Sequence, residues 1–205
     1  MKRSLLMLSV FVSFLFVQCK VLTPIYSYQT INDLEAEKKA LQTSLEETNA
    51  GIATLDAAIA HHTKTKKAMH DILEEAKAKK EQPDPKRMKA IATATGYRSE
   101  DYYKAPKIIR DQLEKFETDL QKSIGDSGTL ATMTVTPGIG LYKGWYIQEI
   151  SRTHQFLESL EKEKKKLLKN KTEIEARIKE IDKQIAETKA RWKTKPEKGN
   201  GNGGY

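Results

Sequence analysis

The sequence predicts an all-α protein: a long antiparallel coiled-coil helical hairpin with a small, mostly helical head inserted at its tip. Three observations predict it. Two long stretches carry apolar residues at alternating steps of three and four, the spacing of a helical seam. The two stretches have similar lengths and flank a middle segment of different character. Finally, only 38% of the 205 residues are hydrophobic while 31% are charged, which suits helices that bury one narrow stripe better than a large compact core. The formal charge of +8 favours an anionic surface or partner and says nothing about fold.

Residues 1–19, "MKRSLLMLSVFVSFLFVQC", read as a secretory signal peptide. Lys2 and Arg3 form a positive start, and the charge-free run Leu5–Val17 falls short of the about 20 apolar residues that span a bilayer. Cleavage after Cys19 or after Ser27 fits this reading, and removing Lys2 and Arg3 takes the charge from +8 to +6. Lipidation of Cys19 is an alternative, weakened by the bulky Gln18 before it, and an uncleaved anchor is another. Cys19 is the one cysteine, so no internal disulfide can form. An exported chain held by helix packing alone suits a bacterial envelope, periplasm or cell surface, better than a disulfide-rich extracellular setting.

Residues 20–29 form an extended lead, and Thr30 or Asn32 can cap the helix that follows. The first arm covers 30–80. Its seam contains Leu34, Leu41, Leu45, Ile52, Leu55 and Ile59, with polar members such as Thr48, His62 and Lys66. Gly51 is the weak helical residue, costing about 1 kcal/mol relative to Ala. Pro83 and Pro85 cannot continue the helix. The second arm covers 146–192, with Leu157, Leu160, Leu167, Ile174, Ile178, Ile181 and Ile185 in its seam. Residues 193–205 form a basic Gly/Asn tail expected to be disordered. In an antiparallel hairpin, facing residue numbers sum to a constant. Sums of 219 and 226 both pair apolar with apolar, and a parallel self-dimer is a third arrangement.

The head spans 83–145. "KRMKAIATATGY" predicts a short helix ending near Gly96, and "RSEDYYKAP" a connector. In "KIIRDQLEKFETDLQKSIG", Ile109, Leu113, Phe116, Leu120 and Ile124 share one face, and Gly125 ends the helix. The stretch "TMTVTPGIGLYKGWY" at 132–146 predicts a turn at Pro137-Gly138 leading into the last arm. Its glycines follow G-x-G-x-x-x-G, one residue off the dinucleotide fingerprint, with no second strand and no phosphate-loop lysine.

Candidate functional residues cluster in the head. Tyr97, Tyr102, Tyr103, Tyr142, Trp145 and Tyr146 are either a partner-contact surface or the head's own core, because rings with polar tips serve both purposes. His61 and His62 are adjacent and expected on different faces, and the four histidines lack metal-ligand spacing. His62 reads as a polar interruption of the seam that sets register or oligomer state. No nucleophile–base pair or paired carboxylates stand out, so neither an enzyme, a cofactor nor a small-molecule substrate is expected. The basic runs at 161–171 and 189–198 read as solvated helix faces or as a site for an anionic surface. Export argues against nucleic acid.

These readings converge on a structural or interaction component of the envelope whose head contacts a protein partner or a second copy of itself. The order of signal peptide, long helix, insert bearing "TGYR" at 95–98 and polar C-terminal helix resembles the minor pilus-tip subunits of bacterial type IV secretion and conjugation systems. That resemblance implies an adhesive head. A periplasmic holdase chaperone with basic arms and a hydrolase with its site inside 83–146 are the rival readings.

Overall fold

The computed structural model describes residues 31–81, 87, 97–132 and 140–193. The signal peptide, the lead, the helix expected over 86–97 apart from its ends, the Pro137-Gly138 turn and the Gly/Asn tail lie outside the described residues. The order of elements is α1 (Ile31–Lys79), α2 (Glu100–Lys104), α3 (Lys107–Thr132) and α4 (Gly140–Lys193). The 49-residue α1 and the 54-residue α4 extend about 74 Å and 81 Å at 1.5 Å per residue. They pack antiparallel as a hairpin, with α2 and α3 as the small inserted head.

None of the thirteen seam residues is exposed. Leu34, Leu55, Leu157, Leu160, Leu167, Ile174 and Ile181 are buried, and Leu41, Leu45, Ile52, Ile59, Ile178 and Ile185 are half-buried. The facing sum is 219. It sets Lys38 opposite Ile181 and Lys164 opposite Leu55. Lys38 reaches Asp182 at 2.6 Å and Lys164 reaches Asp56 at 2.6 Å, each one residue from those positions. A sum of 226 would place them opposite Thr188 and His62, about 9 Å away along the helix. Glu37–Arg177 at 2.8 Å and Glu35–Lys189 at 3.5 Å flank the same seam. Such solvated pairs contribute about 0–1 kcal/mol each, so they select register more than they hold the fold.

The end of α1 comes before the prolines are reached. Lys80 adopts a left-handed φ of 54°, its N–H donates to the Lys77 carbonyl at 3.2 Å, and the Glu81 N–H donates to Ala76 at 3.0 Å. This pair of bonds closes the last helical carbonyls in a left-handed C-cap, a place where glycine is usual. From there the chain returns along α1. Arg87 pairs with Glu75, Tyr97 lies against His61 and His62, and Pro106 lies beside Gly51. Pro106 pushes Ala105 into extended backbone, ψ 151°, which ends α2 and re-aims the chain into α3.

The helix α3 then climbs parallel to α1 and antiparallel to α4, covering the distal half of the hairpin. Its face of Ile109, Leu113, Phe116, Leu120 and Ile124 is buried. The lower set joins Leu55, Ala58, Leu160 and Leu167, and the upper set joins Met69, Ile72, Leu73 and Tyr146. Along α1 this contact uses a second stripe at seven-residue spacing, Gly51, Ala58, Thr65 and Ile72, all buried. The head is therefore a third helix laid on the hairpin; α2 and the start of α3 reach down to Thr43, Glu46 and Glu47, and nearer the base the two long helices pack on one another alone among the described residues.

Four expectations change. Gly125 does not end α3, which continues to Thr132; no glycine among the described residues has positive φ, and a helical glycine costs only about 1 kcal/mol. The last arm begins at Gly140, so Trp145 and Tyr146 belong to α4. The "RSEDYYKAP" connector contains the helix α2. Gly51, expected as a weak point, is instead where elements approach closely. A Cβ there would lie 3.0 Å from Leu167 Cδ1 and 3.2 Å from both Ile109 Cδ1 and Pro106 Cδ.

Two substitutions check these contacts by urea unfolding. Lys80→Gly, which removes the side-chain penalty at a left-handed residue, should stabilise the chain by about 1 kcal/mol. Gly51→Leu should destabilise it by about 1–3 kcal/mol by forcing Pro106 and Ile109 away from α1.

Candidate functional site

The six aromatics of the head divide by environment. In α2, Tyr102 and Tyr103 are consecutive and so point to different sides. Tyr102 is buried, its hydroxyl donates to Glu114 Oε1 at 2.8 Å, and the Arg98 guanidinium lies 4.8 Å above its ring. Burial first, and then the bond to Glu114, push its phenol up to about 12. Tyr103 is 68% exposed and touches Tyr102 edge-on at 5.4 Å. Tyr146 is interior, and Trp145 is half-buried against it at 5.0 Å. Tyr97 is half-buried. The side chain of Tyr142, on the first turn of α4, lies outside the described ones. As partner contacts, Tyr102 and Tyr146 are corrected to core residues: α1 and α4 offer only narrow stripes, and the head needs these rings to fill the space between them. Tyr103 is left in solvent, and so is Ile108, five residues on at the start of α3 and 54% exposed.

Further along the hairpin, a mixed aromatic and polar layer joins all three long elements. Phe116 of α3 stacks on Phe156 of α4 with centroids 3.7 Å apart and planes 6° from parallel. His62 of α1 stands edge-on to both, at 5.2 and 5.4 Å, and is only 1% exposed. Neither of its ring nitrogens has a hydrogen-bond partner among the described residues. His61 and His62 do not diverge as expected: their rings meet at 5.0 Å, and the Tyr97 ring contacts both.

Glu117 organises the polar side of the layer. Tyr97 Oη donates to Oε1, Arg98 Nη2 donates to Oε2 at 2.5 Å, and His62 Nε2 lies 4.0 Å from Oε1. The carboxylate thereby ties the segment before α2 to α3. Burial, then the bond to Glu117, raise the Tyr97 phenol above its ordinary range. Burial lowers His62 to about 4, with His61 adding to the effect. His61 is also lowered by burial, against the opposing pull of Glu117.

A second polar cluster joins α3 to α4. Trp145 Nε1 donates to Ser123 Oγ at 3.1 Å, and Ser123 Oγ donates to Glu149 Oε1 at 2.7 Å. Arg152 reaches Glu149 at 3.7 Å and Asp119 at 3.6 Å. Apart from His62, both clusters are built from residues outside the two seams, which is why the heptad reading missed Glu117, Arg98, Glu149 and Phe156. The available signal was local: small or aromatic residues seven apart beside a seam, such as Ala58 and Thr65 or Glu149 and Phe156, mark a helix face that needs a second partner.

Chemically, the half-buried Glu117 ties the segment before α2 to α3, and the buried Glu149 ties α4 to α3. Among the described residues no three His, Cys, Asp or Glu side chains gather as a metal site. No protein-family model, curated protein or solved structure is similar to this chain.

The His62 environment sets a pH dependence. Its folded pKa, about 4, lies below the ordinary 6.5, so the fold favours neutral imidazole. Stability is fully present above pH 6.5 and falls as pH drops toward 4, because the unfolded chain takes up a proton that the folded one refuses. The expected loss is about 3 kcal/mol across that window. Urea midpoints measured from pH 7 to 4 should show it, and His62→Phe should flatten most of it.

Proposed function

We propose that the chain is an exported component of a bacterial envelope that works by binding: a stiff hairpin holding a contact surface at a defined height along its length. The observation that carries this reading is the exposed pair Tyr103 and Ile108, at 68% and 54%, on a stretch whose neighbours Tyr102 and Ile109 are buried. Large side chains left in water beside a braced core have the character of recognition anchors. Tyr103 lines a shallow groove of about 470 Å³ whose other walls include Glu46, Glu47, Lys104, Pro106 and Arg110, so that ring has a charged rim. Export is supported by the character of residues 1–19. A non-catalytic role is supported by the use of Glu117 and Glu149 in ties between helices.

The more specific form of the reading is a tip subunit of a type IV secretion or conjugation system. It is favoured by the position of the Tyr103–Ile108 surface on the insert between two long helices, the part expected to be adhesive.

A photo-crosslinking residue at position 103, with position 102 as the buried control, tests this in the native envelope. Crosslinks to an envelope protein are expected from 103 and not from 102. The double variant Tyr103→Ala, Ile108→Asp should recover about tenfold less partner while keeping its helical content. Equal recovery, or full-length chain in the cytosol with residues 1–19 intact, would remove the proposal.

A further inference from the structure

The hairpin has a second surface, on the side away from α3. There the seam between α1 and α4 opens into two connected grooves that share Lys66 and His154. One, of about 390 Å³, has Ile59 and Leu157 as its floor. The other, of about 490 Å³, has Leu73, Ile147 and Ile150. No residue of α3 lines either groove. Ile147 is 50% exposed, although Ile150 beside it packs partly against the upper core. From Ile59 to Lys77 the trough runs about 27 Å along α1. Its width is the space between two packed helices, which is the shape that a further helix fills.

The rim is basic. Lys66, Lys162 and Lys165 line the grooves and make no ion pair among the described residues. Of the rim carboxylates, Glu74 is engaged by Lys77 at 2.5 Å, and Glu158, 3.7 Å from the His154 ring, and Glu161 stand against three lysines. We infer that this trough binds an acidic amphipathic helix of another protein, its apolar stripe on Ile59, Leu157, Ile150 and Ile147 and its carboxylates on Lys66, Lys162 and Lys165. A second copy of the chain fits worse. A symmetric pair uses the same patch twice, which would set each lysine rim against its own duplicate. An extended anionic polymer would satisfy the lysines and leave the apolar floor in water. The inference does not depend on export or on the Tyr103 surface.

The test uses the purified full chain and two fluorescent helical peptides of about 18 residues. Both carry Leu and Ile at positions a and d; one has Glu on the flanks and its twin has Lys. Fluorescence anisotropy should show the acidic peptide bound at least about tenfold more tightly than the twin. Ile147→Asp and the triple variant K66E/K162E/K165E should each weaken it by about tenfold or more, with circular dichroism unchanged. The triple variant alters only side chains on the rim and decides the matter if Ile147→Asp disturbs folding. Equal or absent binding of the two peptides overturns the inference. So does binding that is lost with Tyr103→Ala and kept in the triple variant. A concentration-dependent dimer in sedimentation that Ile147→Asp abolishes would assign the trough to a second copy and overturn it as well.

Discussion

At the level of His62, one residue from each long element meets: Phe116 of α3 lies flat on Phe156 of α4, and the His62 ring of α1 stands edge-on to both. Everything distal to that level depends on the contact. A hairpin of two charged helices can bury only the stripe along which they touch, and such a stripe leaves room for slippage and splaying. The aromatic layer adds a second, angled contact. It requires α3 to lie in one groove of the hairpin and sets how high along α1 it sits. Glu117 then extends the hold to the returning chain through Tyr97 and Arg98.

The two halves of the rod are consequently different materials. Above Gly51, three helices enclose Leu55, Met69, Leu113 and Leu160 at 0% exposure. Below it, α1 and α4 hold one another along a single stripe in which Leu34 and Ile181 are buried but Leu41, Leu45, Ile178 and Ile185 only half-buried, with solvated ion pairs alongside. Ion pairs of that kind contribute little to stability, so the basal half should open at lower free energy than the distal half. Both candidate contact surfaces lie on or next to the braced part: Tyr103 and Ile108 where the insert begins, and the lysine-rimmed trough on the opposite side. A binding surface on a stiff support loses less conformational entropy when it engages.

The residue at the centre of the brace is ionisable. A leucine at position 62 would fill the same layer without a titrating group. The histidine makes the joint between hairpin and insert responsive to protons, through burial of a ring whose nitrogens have no hydrogen-bond partner among the described residues. That coupling acts on the packing of α3 against the hairpin more directly than on either exposed surface.

Period and composition were enough to determine the all-helical class, the two long helices with their seams and the apolar face of α3, because a buried helical stripe must recur every three to four residues whatever it packs against. That the two helices close on one another as a hairpin, and not on a second copy, was predicted by their matched lengths and decided by the tertiary structure. The stop near Lys79 was legible too, although it is made by a left-handed Lys80 and not by the prolines. Tertiary structure alone decided the register, since sums of 219 and 226 both match apolar to apolar and only charges beside the seam distinguish them. It also decided that Tyr102 and Tyr146 face inward while Tyr103 faces water. Consecutive residues on a five-residue helix have no period to read, and which one is buried follows from where Pro106 and Gly51 let the insert rest. The pairing of Glu117 with Tyr97 and Arg98, and of Glu149 with Ser123, likewise joins positions about twenty or more residues apart. Local pattern carries no trace of such contacts, because they exist only once three helices share one core.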